Sequence, residues 1–99
     1  MDKALLLPGA QMIDMHTYGV RLLRRSRNHR ALKVFLLNQK QHPEEKFWTY
    51  YDLARAYTAL GRKDQAIANW ETAIANVPQG RRSMLPKFQS TVAKLRTGS

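Results

Sequence analysis

The chain contains no cysteine, which excludes disulfides and every form of thiolate chemistry, whether nucleophilic, redox or metal-binding. It is short of acid: seven Asp and Glu stand against 17 Lys and Arg, a formal net charge of +10 over 99 residues. That imbalance bears on partners and solubility, not on fold. Long apolar runs are missing too. Stretches such as Ala4-Leu5-Leu6-Leu7 fall far short of the roughly 20 residues a membrane-spanning helix needs. Pro8-Gly9 stops the same stretch from serving as a signal peptide, which leaves the cytoplasm as the default compartment. Glu44, Glu45, Asp52, Asp64 and Glu71 form no pair suited to acid–base work, and no P-loop, GxGxxG or nucleophile elbow occurs. The three histidines, His16, His29 and His42, are spaced by 13 without accompanying ligands, so they read as surface or turn residues rather than a zinc site. These absences argue against an enzyme and against a metal or cofactor. The length fits one small domain.

What the chain does have is helical periodicity. Apolar residues recur at three- and four-residue spacing, and no stretch sustains the alternation of a strand. Glycine and proline punctuate the pattern at Pro43, Gly61, Pro78 and Gly80. The clearest helix is expected over Glu44 to Leu60, with Pro43 before it, Glu44 and Glu45 in its first turn and Gly61 as C-terminal cap. Lys63 to Val77 follows, with Asp64 as a starting cap and Pro78 ending it. Upstream, Gln11 to Arg25 and Asn28 to Gln41 form a similar pair. Downstream, Ser83 to Arg96 begins with Ser83 as N-cap and Pro86 in the first turn. That makes five helices.

These helices repeat. A shift of 35 superposes Arg27 on Arg62, Ala31 on Ala66, Phe35 on Trp70 and Pro43 on Pro78, and it carries Met15, Tyr18, Gly19 and Leu22 onto Tyr50, Leu53, Ala54 and Tyr57. Applied again, it brings Leu53 onto Phe88 and Tyr57 onto Val92. A period near 34 built from helix pairs is a repeat signature. The expected organisation is an N-terminal arm over 1–10, a first helix pair over 11–43, a second over 44–80, and a capping helix with its tail over 81–99, all one domain.

The second unit carries Tyr50, Leu53, Ala54, Tyr57, Gly61, Ala66, Trp70, Ala73 and Pro78, and in this it resembles a tetratricopeptide repeat. The first unit is a degraded copy: Tyr18, Gly19, Leu22, Ala31, Phe35 and Pro43 match, while Ser26 replaces the inter-helix glycine and Asn38 a small alanine. The resemblance implies an all-α stack of antiparallel helix pairs in a right-handed solenoid. Gln89 occupies the slot of Gly19 and Ala54, where a long polar residue marks a solvated last helix.

By that resemblance the first helix of each pair lines a concave groove, with His16, Val20, Leu23 and Arg24, then Trp48, Tyr51, Asp52, Arg55 and Ala59, then Arg82, Gln89 and Ala93. The expected function is protein–protein interaction: an acidic peptide or partner protein, with Trp48 and Tyr51 as anchors and Arg24, Arg55 and Arg82 as carboxylate partners. Two other readings stand behind it. One is a structural or dimerising appendage at the C-terminal end of a larger bacterial protein, docked on its upstream domain. The other is nonspecific nucleic-acid binding through two basic groups, Arg21 to Lys33 and Arg81 to Arg96. It ranks last because the arginine cluster shows neither a known nucleic-acid-binding fold nor the interleaved stacking aromatics of one.

Overall fold

The computed structural model describes residues 11–97; the expected arm over 1–10, its Ala4–Leu7 stretch and the last two residues lie outside that range. The protein is all-α. Five α-helices follow in order: α1 (Met12–Arg24), α2 (Asn28–Gln41), α3 (Trp48–Ala59), α4 (Lys63–Ala75) and α5 (Leu85–Arg96), with a short 3-10 segment, Gln79–Met84, ahead of the last. Among the described residues there is no strand.

The two helix-to-helix turns are built the same way. At the end of α1, Ser26 takes φ 59°, the Ser26 N–H donates to the Leu23 carbonyl at 3.0 Å and the Arg27 N–H to Leu22 at 2.9 Å. At the end of α3, Gly61 takes φ 73°, its N–H donates to Thr58 at 3.1 Å and the Arg62 N–H to Tyr57 at 2.9 Å. Both are Schellman caps, which absorb the last free carbonyls of a helix and reverse the chain. Every donor and acceptor in one turn is the other's counterpart at a shift of 35. Burial follows the same shift: Gly19 with Ala54, Ala31 with Ala66, Phe35 with Trp70 and Asn38 with Ala73 are buried, while Pro43 and Pro78 are exposed.

The turns fold α2 back on α1 and α4 back on α3; α3 also packs on α2 and α1, and α5 packs on α4. The core divides accordingly. Met15, Leu22, Ala31, Leu32, Val34, Phe35, Leu53 and Ala56 form one cluster. Phe47, Ala54, Ala66, Trp70, Ala73, Phe88 and Val92 form the other. The central helix α3 serves both, with Leu53 and Ala56 in one and Ala54 in the other. Small residues permit this. A Cβ on Gly19 would run into the Phe35 ring, 2.6 Å from Cζ and 2.7 Å from Cδ1, so glycine lets α1 and α2 approach with a phenylalanine between them.

Polar groups taken inside are mostly matched. The Trp70 indole N–H donates to the Thr58 hydroxyl at 3.0 Å, and Thr58 donates to the Ala54 carbonyl at 2.7 Å. Asn38, where the second unit has Ala73, donates to the Met12 carbonyl at 3.2 Å and ties α2 to the start of α1.

Three local expectations need correction. Helix α3 starts at Trp48, four residues later than expected. Glu45 is therefore outside the helix, and its carboxylate accepts from the N–H groups of Phe47 at 2.5 Å and Trp48 at 2.6 Å. That satisfies two donors a helix start leaves free. Ser83 does not cap α5, because it lies within the 3-10 segment. Asp64 stands in the first turn of α4 and makes no capping hydrogen bond there, so only its charge favours the helix start.

Candidate functional site

The start of α3 carries an unusual density of rings. Phe47 is buried at the helix boundary, and Trp48 and Tyr51 follow half-buried on the next turn. Phe47 meets Trp48 edge-on at 4.9 Å between centroids and stacks on Tyr51 at 5.9 Å. Tyr51 in turn lies 5.8 Å from Trp70 of α4 and 5.1 Å from Phe88 of α5. On the other side, His16 of α1 stands edge-on to Trp48 at 5.4 Å. Each ring contact of this type adds about 0.5–1.5 kcal/mol beyond burial. The two partly exposed rings are thus held by neighbours from three helices, and Glu45 fixes the backbone beneath them.

Two guanidiniums rest on these rings. The Arg55 Cζ lies 5.1 Å from the Tyr51 centroid, and the Arg81 Cζ lies 5.4 Å from that of Trp48. A guanidinium over a ring face is attracted by the ring's quadrupole and still carries five N–H donors, the geometry that pairs with a carboxylate.

Beneath them sits a buried acid. Asp52 is fully buried, and its Oδ2 is 2.6 Å from His16 Nδ1. Its Oδ1 has no hydrogen-bond partner and stands 4.0 Å from an Arg55 nitrogen. Burial raises the Asp52 pKa above its ordinary 3.8, against the opposing hydrogen bond and charge of His16 and the charge of Arg55. The expectation that His16 is a surface or turn residue is therefore corrected: it is half-buried and bonded to Asp52. Both residues were placed on the groove side of their helices. What the sequence concealed is that α1 and α3 pack closely enough for a side-chain bond between positions 36 apart.

Of the five expected contact residues, the structure brings Trp48, Tyr51 and Arg55 together. Arg24 and Arg82 are exposed and take part in no ion pair or ring contact among the described residues. Arg81 is the residue the sequence reading missed. The sequence reading named Arg82 from the stretch before the expected helix at Ser83; in the structure Arg81, with φ −119° and ψ 16° within the 3-10 segment, is the one over Trp48. The nine signature residues Gly19, Leu22, Ala31, Phe35, Leu53, Ala54, Ala66, Trp70 and Ala73 are buried, Tyr18, Tyr50 and Tyr57 are half-buried, and Pro43, Gly61 and Pro78 stand exposed at chain reversals.

Among the described residues no group of three or more His, Cys, Asp or Glu could hold a metal ion, and no helix is long and apolar enough to cross a membrane. No family model, curated protein or solved structure matches the chain.

Proposed function

We propose that the protein is a non-enzymatic interaction module of the tetratricopeptide-like kind, its helix pairs stacked as a right-handed solenoid. It takes a short acidic peptide, or an acidic segment of a partner protein, across the start of α3. The observation that carries this reading is the pair of guanidiniums set over two partly exposed rings: Arg55 over Tyr51 and Arg81 over Trp48. Arg81 has no acidic partner among the described residues, so its donors face no internal carboxylate. The rings supply apolar area that needs no further ordering, since their neighbours already hold them, and preorganised anchors bind at lower entropic cost. The cations select for Asp and Glu. Arg82 is a further exposed cation, next to Arg81 in the chain, whereas Arg24 closes α1 away from the rings.

The 35-residue equivalence of the two Schellman turns supports the repeat part of the reading, since it is a backbone identity and not only a residue match. Selection of random dodecapeptides displayed on phage tests the functional part. The expected result is enrichment of Asp and Glu beside apolar residues, with binding weakened about tenfold or more by Trp48→Ala, the loss typical of an interface anchor. Selected peptides without acidic bias, or equal binding to the variant, would refute it.

A further inference from the structure

A second charged surface lies away from these rings, at the turn joining α1 to α2. Arg21, Arg24 and Arg25 close α1; Arg27, Arg30 and Lys33 open α2, and all six are exposed. No Asp or Glu occurs in the sequence between Asp14 and Glu44, and none of the six enters an ion pair among the described residues. Three of the seven acids are engaged elsewhere. Asp52 is buried against His16 and Arg55, Glu45 caps α3, and Glu71 pairs with Arg96 at 2.8 Å. The second basic group is thus partly neutralised by Glu71, and the first is not. The turn from α3 to α4 reverses the chain in the same sense and extends the basic end with Arg62 and Lys63, against the single acid Asp64.

We infer that this end of the molecule docks on the phosphate backbone of a nucleic-acid duplex, without reading its sequence. Five of the six cations are arginines, whose fork geometry matches phosphate better than an ammonium does. One face of α1's last turn spans about 6 Å, and neighbouring helices lie about 8–10 Å apart, so with side-chain reach the patch covers some 20 Å. That length of duplex carries roughly a dozen phosphates. Residues 21–33 contain no Phe, Trp or Tyr, and their one exposed ring, His29, is a smaller stacking platform than those aromatics, which favours a duplex over a single strand. An anionic membrane fits less well, because the exposed large apolar side chains, Ile13 and Leu36, lie outside the run of arginines. An acidic peptide must be ordered on binding, whereas a duplex presents its charges already fixed.

The test is the affinity of the whole protein for a 20-base-pair duplex of mixed sequence, across salt, by fluorescence anisotropy. Six phosphate contacts give a slope of log affinity on log salt of about −5, equivalent to about a thousandfold loss between 50 and 200 mM. Arg27→Gln with Arg30→Gln is expected to bring the slope to about −4; both side chains are exposed, and circular dichroism verifies the fold. Lys87→Gln with Lys94→Gln, on α5, removes equal charge and is expected to leave the slope unchanged. Equal effects of the two double variants would assign binding to net charge alone and overturn the proposal. So would tighter binding to the corresponding single strand or to vesicles containing phosphatidylserine. Peptide selection at the α3 rings is an independent experiment, so either proposal can fail without the other.

Discussion

Replacing Gly19 by alanine sets two effects against each other, and the structure decides which wins. Glycine inside a helix costs about 1 kcal/mol relative to alanine, so by propensity alone Gly19→Ala should stabilise α1. Its added Cβ, however, would lie 2.6 Å from Phe35 Cζ and 2.7 Å from Cδ1, well inside van der Waals contact. Phe35 is 1% exposed and packed within the first core cluster, so its ring has no open space to enter. Overpacking of this kind costs about 1–3 kcal/mol. Subtracting the propensity gain leaves a loss of about 0–2 kcal/mol, and the enclosed ring puts the expectation in the upper half of that range, about 1–2 kcal/mol. For a urea m value near 1–2 kcal/mol/M the midpoint falls by about 1 M, read by helical circular dichroism. Phe35→Leu clears the contact, so adding Gly19→Ala to it should cost less than adding it to wild type; the coupling in this double-mutant cycle should be about 1 kcal/mol or more. A Gly19→Ala variant that is more stable than wild type, or a cycle without coupling, would refute the reasoning. At the equivalent position the second unit has Ala54 beside Trp70 in its own cluster, so a Cβ is tolerated in one copy and excluded in the other.

Other perturbations follow from the same geometry. Ser26 and Gly61 share a left-handed backbone, so Ser26→Gly should stabilise by about 0.5–1 kcal/mol and Gly61→Ala destabilise by about 1 kcal/mol, shifts of several degrees in Tm. Glu45→Ala removes the oxygen that accepts both N–H bonds at the start of α3 and should cost about 1–2 kcal/mol, with faster amide exchange at Phe47 and Trp48 as its local signature. Because burial raises the Asp52 pKa above 3.8, the folded state holds that proton more tightly than the unfolded chain. Its contribution is complete below pH 3.8 and is lost as pH rises through the folded value. Denaturation of wild type and Asp52→Asn across pH should therefore show the variant gaining relative stability as pH rises; the opposite sign would contradict the assignment.

How far the sequence reveals this molecule depends on what kind of information each feature needs. The helices were legible because burial at three- and four-residue spacing is local, as at Ala66, Trp70 and Ala73. The equivalence of the turns was legible because Gly61 and Ser26 share a place in the repeat, although only the backbone shows that Ser26 accepts the glycine conformation. Boundaries were harder. Glu45 belongs to a good helix start by composition, yet its carboxylate caps the helix from outside. The site was half legible: Trp48, Tyr51 and Arg55 stand on one α-helix, where spacing determines which side chains are neighbours. Arg81 escaped because it lies ahead of the expected helix, in a 3-10 segment whose kink no periodicity announces. The bond from His16 to Asp52 escaped because it depends on the distance between two helices, which no pattern along one of them encodes.

Chemical-shift mapping with a synthetic peptide alternating Glu with Leu, against a counterpart in which Gln replaces every Glu, addresses the proposed site directly. The account predicts that the acidic peptide shifts the Trp48 indole N–H and the amides of Tyr51, Arg55 and Arg81. The Trp70 indole N–H, bonded to Thr58, should move little, and the Gln peptide should cause far smaller changes. Shifts confined to the turn at 25–27, or equal shifts with both peptides, would contradict it.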